Sequence, residues 1–241
     1  MQIIFSPAKE MNLENPIQKQ WQVHPLTLKI TDYLMALDEE NLQNILNINS
    51  RQLMINKSYL SDFNKPQTYK AVDLYHGLAY RSLKSVNLTA EDMAYLNRCC
   101  FILSALYGPI RPKALIKAYR LDFTMPIKLE EKSLKSLWKP IYNQTISQGD
   151  LVVNLASQEF SSLFDKDQYE WLDIDFIELV DGKEKRHSTL SKKARGLMLA
   201  YLAKVKAKDI KDIGSFNLDG YKLDPNRSDD HKLTFIKELD K

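Results

Sequence analysis

The chain opens on an uninterrupted apolar run, Ile3-Ile4-Phe5, which reads as a short buried strand from Gln2 to Phe5. A polar loop holding Pro16 and Pro25 follows. From about Leu26 to Phe63, Leu34, Leu37, Leu42, Ile45 and Leu46 recur at helical spacing, until Asn64-Lys65-Pro66 interrupts the pattern. Thr89 is a good N-cap, because its hydroxyl can accept an orphan backbone N–H. The helix it starts runs through Met93, Leu96 and Cys100 and is expected to reach the turn at Gly108. Leu151 to Leu155 is a second continuous apolar run, as in a strand covered on both faces. Asp175 to Val180, Asp181-Gly182 and the residues from Lys185 predict a hairpin, since Asp-Gly suits a type I′ turn. Ser191 can cap a helix from Lys192 to about Lys206. The segment from Phe216 onward reads as irregular β structure turning near Pro225.

Helices and strands therefore alternate, which predicts an α/β fold with a mixed central sheet surrounded by helices. No internal repeat or long linker divides residues 1–241, so one domain is expected.

Composition changes this picture little. The chain has 241 residues, 44% hydrophobic and 27% charged, with a net charge of only +3. The distribution of charge says more. Lys183 to Lys211 carries ten Lys or Arg against Glu184 and Asp209, whereas Asp165 to Asp181 carries seven acids against Lys166. Such segregation can create one strongly positive surface on a nearly neutral protein. No apolar run approaches the roughly 18–20 residues needed to span a bilayer, and the N-terminus lacks the pattern of a signal peptide. Cys99 and Cys100 are adjacent in an apolar segment, which predicts buried, inert thiols. A cytoplasmic protein with no membrane partner is expected.

Several stretches could carry chemistry. The first strand ends in Ser6-Pro7-Ala8-Lys9, and the second apolar strand in Asn154-Leu155-Ala156-Ser157-Gln158-Glu159. Ligands of open α/β sheets sit beyond the carboxyl ends of strands, so Ser6, Lys9, Asn154 and Ser157 are candidates for one pocket. In Ala105 to Arg120, Gly108 and Pro112 are expected to start a helix that carries Lys113, Lys117 and Arg120 on one face, with Arg111 beside the turn. Around Lys192 to Lys204, Lys192, Arg195 and Lys206 lie roughly opposite Ala194, Met198, Tyr201 and Val205, with Gly196 and Ala203 between them and no four-residue pairing to glutamate. Tyr75 and Tyr80 flank His76-Gly77 and could stack on bases.

His24, His76, His187 and His231 are scattered, and no His/Cys spacing resembles a metal site. There is no P-loop, no GxGxxG after a strand and no GxSxG elbow. No cofactor is therefore expected.

In order, SPAK at 6, YHGL at 75, LSALYGPIRP at 103, KAYRLDF at 117, VVNLAS at 152, KKARG at 192 and FNLDGY at 216 resemble the YaaA family over nearly the whole chain. The chain departs from that family's pattern at Glu10-Met11, where Thr-Leu commonly follows the lysine. The resemblance implies a bacterial cytoplasmic protein of peroxide stress that limits free iron. It also implies a mixed α/β fold with a basic cleft and a helix-hairpin-helix-like element, linked to double-stranded DNA. Lys9, Gly108, Arg111, Arg120, Asn154, Ser157, Lys192, Lys193 and Arg195 stand at matching motif positions.

The first reading is a non-enzymatic protein that binds double-stranded DNA, largely independently of sequence. Gly108, Arg111, Lys113, Lys117, Arg120, Lys192, Lys193 and Arg195 would meet the phosphates on one continuous basic surface. The alternative is an enzyme acting on a nucleotide or nucleic-acid base. Its pocket would hold a small nucleotide-like ligand among Ser6, Lys9, Tyr75, Asn154 and Ser157. A third reading is an interaction module whose basic face meets an acidic protein.

Overall fold

Ile3, Ile4 and Phe5 are buried because their strand, Gln2–Phe5, lies near the middle of an eight-stranded sheet with both faces covered. The computed structural model describes residues 1–19, 21–185 and 187–239. Five strands run parallel in the order Lys232–Leu239, Glu170–Val180, Leu151–Leu155, Gln2–Phe5 and Cys100–Ser104. Short antiparallel strands flank them: Lys222–Leu223 at one edge and Gly108–Ile110 at the other. Lys183–Lys185 folds back on Glu170–Val180 through Asp181 and Gly182, both at positive φ, as the Asp-Gly turn requires. Helices surround this mixed sheet, as the alternation of patterns predicts.

The register builds the site. Phe5 lies beside Leu155 on one side and Ile102 on the other. The residues that follow these strands are thus brought to one edge of the sheet.

Two expectations change. The Thr89-capped helix forms, with a capping box to Asp92, but it stops at Cys99. Cys100–Ser104 is a fully buried strand instead. A short apolar run reads equally well as helix or buried strand, and here the sheet claims it. The cationic helix begins at Ser188, not at Lys192, so Ser191 lies inside it.

The larger correction concerns residues 105–120. No helix follows Pro112. Gly108–Ile110 pairs with Cys100–Ser104, and Leu115–Ile116 pairs with Gln67–Lys70. The Val72 amide donates to the Pro112 carbonyl (3.0 Å) and the Ala71 amide to that of Ala114 (2.9 Å), so neighbouring chain takes the acceptors a helix would have used. Residues 105–120 are therefore not a helix-hairpin-helix element. Gly108 serves packing rather than phosphate. It sits at φ 70°, and a Cβ there would lie 2.4 Å from the Trp138 ring. Trp138 in turn donates its indole N–H to the Ala105 carbonyl (2.8 Å).

The cationic helix Ser188–Val205 packs closely against the helix Leu78–Lys84, because Gly196 lets the two backbones approach. A Cβ at Gly196 would lie 2.0 Å from the Ala79 carbonyl oxygen.

Replacing an ordinary helical glycine by alanine stabilises by about 1 kcal/mol. At this contact the sign should reverse. Gly196→Ala is expected to cost about 1–3 kcal/mol through overpacking, read as a lower urea midpoint. A midpoint that rises would contradict the close approach.

Candidate functional site

Beyond the carboxyl ends of Gln2–Phe5 and Leu151–Leu155 lies a cleft of about 410 Å³. Its floor is built by the two strand ends. The Ser157 amide donates to the Ser6 hydroxyl oxygen (2.8 Å), and the Ser6 hydroxyl faces that of Ser157 at 3.3 Å. Tyr80 donates its hydroxyl to the Ser6 carbonyl (2.9 Å), which ties the turn after the first strand to the helix Leu78–Lys84. Phe5, Tyr80, Tyr119 and Phe160 supply aromatic walls.

The charged rim comes from three places. Thr189, Lys192 and Arg195 are three residues apart along the Ser188–Val205 helix and so share the side that lines the cleft. Arg81 comes from the opposing helix and pairs with Glu10 at 2.5 Å. Lys9 and Arg120 meet on one carboxylate, Asp122, at 3.2 and 3.0 Å.

Two acids line this cleft in contrasting surroundings. Burial works against the charge of Asp122, but the Thr124 hydroxyl, Lys9 and Arg120 outweigh it and hold the carboxyl below its usual range. Glu159 is raised, first by burial and then by the negative Asp122, although the Phe123 amide, Lys9 and Lys135 oppose the rise. Glu159 accepts the Phe123 amide (2.9 Å), so its carboxyl is seated against the peptide bond that follows Asp122. Paired carboxyls pushed apart in this way suit proton transfer.

The cations singled out in the sequence do not act as one group. Arg120, Lys192 and Arg195 line the cleft together with Lys9. Arg111 does not line it. Its guanidinium lies 3.5 Å from the centre of the Phe101 ring, and it donates to the Cys100 carbonyl (3.2 Å) and the Gln2 side chain (3.3 Å). Cys100 and Gln2 begin their strands, so Arg111 belongs to the opposite end of the sheet, a strand length of roughly 13 Å away. Lys113 is exposed on the turn after Arg111, where its amide donates to Asn97 (3.0 Å). The single continuous surface expected for residues 108–120 and 192–206 is thereby divided.

Lys117 is 3% exposed, and its ammonium is surrounded by the carbonyls of Asp62 (3.1 Å), Lys65 and Gln67 (2.9 Å). It is a structural cation, because its buried ammonium needs those acceptors and they tie residues 62–67 to it. Lys193 pairs with Asp219 (3.0 Å), while Lys204 (2.9 Å) and Lys206 both reach Asp92. Arg195 has its pKa lowered by burial, against the opposing pull of Asp175 and Asp173. The acidic run around Asp165 to Asp181 therefore faces part of the basic run that follows it.

Of the expected pocket residues, Ser6, Lys9 and Ser157 line the cleft. Tyr75 is fully buried beneath it, sharing a hydrogen bond with the Tyr119 hydroxyl (2.8 Å), which also bonds Ser104 (2.7 Å). Asn154 lies behind the wall. It accepts the Ala156 amide (2.9 Å) and donates to Asp173 (2.7 Å), which fixes the strand end rather than meeting a ligand. Arg81, Asp122, Glu159 and Thr189 were absent from the expected set. Glu159 stands two residues after Ser157 at the strand end, the one sequence signal that pointed towards it.

Residues 1–227 match the family model described as peroxide stress protein YaaA. The chain belongs to the YaaA family. A UPF0246 protein of Streptococcus agalactiae is 34% identical over 241 residues, covering 99% of each chain. One from Streptococcus gordonii is 33% identical over the whole of both chains, and one from Fusobacterium nucleatum is 33% identical over 99% of each. This YaaA-family chain is thus similar to those proteins from end to end. Among its described residues no helix is long and apolar enough to cross a membrane. Cys99 and Cys100 are both free and buried, and burial raises both thiols.

Lys117→Met should destabilise the fold while leaving the cleft intact. Removing the ammonium loses its charge-assisted hydrogen bonds to residues 62, 65 and 67, at a cost of about 1–3 kcal/mol. Urea unfolding should show the loss. An unchanged midpoint would mean that the ammonium is not needed there.

Proposed function

We propose that this protein serves the peroxide-stress response by binding double-stranded DNA at the mouth of the cleft, largely independently of sequence. One observation carries the reading: Lys9, Arg81, Arg120, Lys192 and Arg195 surround a single concavity. Cations collected around a low-dielectric cleft concentrate field and draw phosphates. The cleft volume of about 410 Å³ is too small for a duplex and suits one nucleotide unit. The backbone therefore rests on the rim, against Lys9, Arg81 and Lys192, whose charges reach solvent. Occupied DNA is shielded from iron-driven oxidation, and in this way the protein limits that damage in the cytoplasm.

A second reading, an enzyme acting on a nucleotide or nucleic-acid base, is favoured by the contrasting carboxyls Asp122 and Glu159 in the same cleft.

Salt dependence tests the binding reading. Three rim contacts give a log–log slope of about −3 for duplex affinity, at roughly −0.9 per phosphate. Lys192→Ala should weaken binding to unrelated sequences about equally and flatten the slope by about 0.9. Arg111→Ala should leave the slope unchanged. A slope near zero, or one flattened by Arg111→Ala and not by Lys192→Ala, would overturn the assignment.

A further inference from the structure

The binding reading leaves Glu159 without a task. Phosphates call for cations, yet the cleft turns a carboxyl group inward among aromatic walls. Phe160 follows Glu159 in the chain, and Phe5 and Tyr119 line the same space. These walls suit the flat face of a nucleobase. The volume admits one nucleotide unit but no base pair in its helix, so a base could enter only after leaving the stack.

Glu159 is held in a fixed position at the cleft. One carboxyl oxygen accepts the Phe123 amide at 2.9 Å, which fixes the group beside Asp122. Asp122 is itself fixed by Thr124, by Lys9 (3.2 Å) and by Arg120 (3.0 Å). Burial first, and then the negative Asp122, favour the protonated form of Glu159, whereas the Phe123 amide, Lys9 and Lys135 favour the charged one, and the balance raises its pKa. The cleft thus holds a carboxyl group that keeps its proton more readily than an ordinary glutamate, and its lining also carries the cations Lys9, Arg81 and Lys192.

We propose that the cleft is catalytic, hydrolysing the N-glycosidic bond of a nucleotide unit drawn from bound DNA, with Glu159 as the proton donor. This rests on the DNA-binding reading. A nucleobase leaves poorly as an anion, and protonation on nitrogen removes that cost. As the bond between the sugar C1′ and the base nitrogen breaks, its electron pair stays on the nitrogen, which takes the Glu159 proton. A water oxygen bonds to C1′, and the proton that water releases restores Glu159. The products are a free base and a sugar bearing a C1′ hydroxyl, so the step consumes water alone. Glu159 is the catalytic residue. Asp122 is a positioning residue, acting through the charge that adds to the effect of burial on Glu159. Bases altered by peroxide and iron are the substrate class, because weakened pairing makes them the least costly to extrude.

The test uses the full-length protein and a duplex oligonucleotide oxidised with hydrogen peroxide and iron(II), with free bases measured by mass spectrometry. The wild type should release bases, and Glu159→Gln, which keeps an acceptor for the Phe123 amide, should lower the rate by about 10²–10⁴. The rate should fall as pH rises through the raised pKa of Glu159. Asp122→Asn should move that fall to lower pH, which a merely structural role would not do. No base release by the wild type, or release undiminished by Glu159→Gln, overturns the proposal. Duplex affinity is measured on the same samples. Salt-dependent binding without base release removes the catalytic inference alone, whereas absence of binding removes the reading beneath it.

Discussion

The pairing of Ser6 with Ser157 joins the two halves of the site. The Ser157 amide donates to the Ser6 hydroxyl at 2.8 Å, across 151 positions of sequence. It exists because Gln2–Phe5 and Leu151–Leu155 pair in parallel with Phe5 beside Leu155. A slip of one residue would turn each apolar side chain to the other face and separate the serines. Both faces are covered here, so such a slip would exchange two sets of fitted side chains, Ile3, Ile4, Val152 and Val153 among them, and core packing thus sets the geometry of the floor. The walls then follow from Tyr80 on the Ser6 carbonyl and from Gly196 against Ala79.

Electrostatic specialisation comes from which cations are neutralised elsewhere. Lys117 is spent on three backbone carbonyls, Lys193 on Asp219, and Lys204 and Lys206 on Asp92. Asp92 is held well below the ordinary carboxylate range, first by Lys204 and Lys206 and then by the Thr89 amide. These four cations of the two basic stretches are therefore held by the protein's own groups, while Lys192 and Arg195 line the cleft. The acids do similar work inside the cleft, where Asp122 binds two cations and leaves Glu159 the harder group to ionise.

Much of this was legible in the sequence. The first strand, the Leu151–Leu155 strand, the Thr89 cap and the Asp181-Gly182 turn all carry local signals strong enough to survive folding. So do Ser6, Lys9 and Ser157, because strand ends are where ligands of parallel sheets sit. Cys100–Ser104 was hidden because a short apolar run has no periodicity that separates strand from helix. The segment after Gly108 misled for a different reason. Its proline, glycine and spaced cations fit a helix start, but its carbonyls are taken by Ala71 and Val72, residues far away in sequence. Asp122 and Glu159 gained their contrast only from tertiary contacts, which no spacing rule contains.

The central claim is that DNA meets the cleft at the carboxyl ends of the parallel strands. Amide hydrogen exchange of the protein with and without a duplex locates the contact surface directly. Protection should appear in residues 6–11, 77–81 and 189–195 and leave 111–117 unchanged. Protection confined to 111–117, with the cleft segments unaffected, would contradict the account.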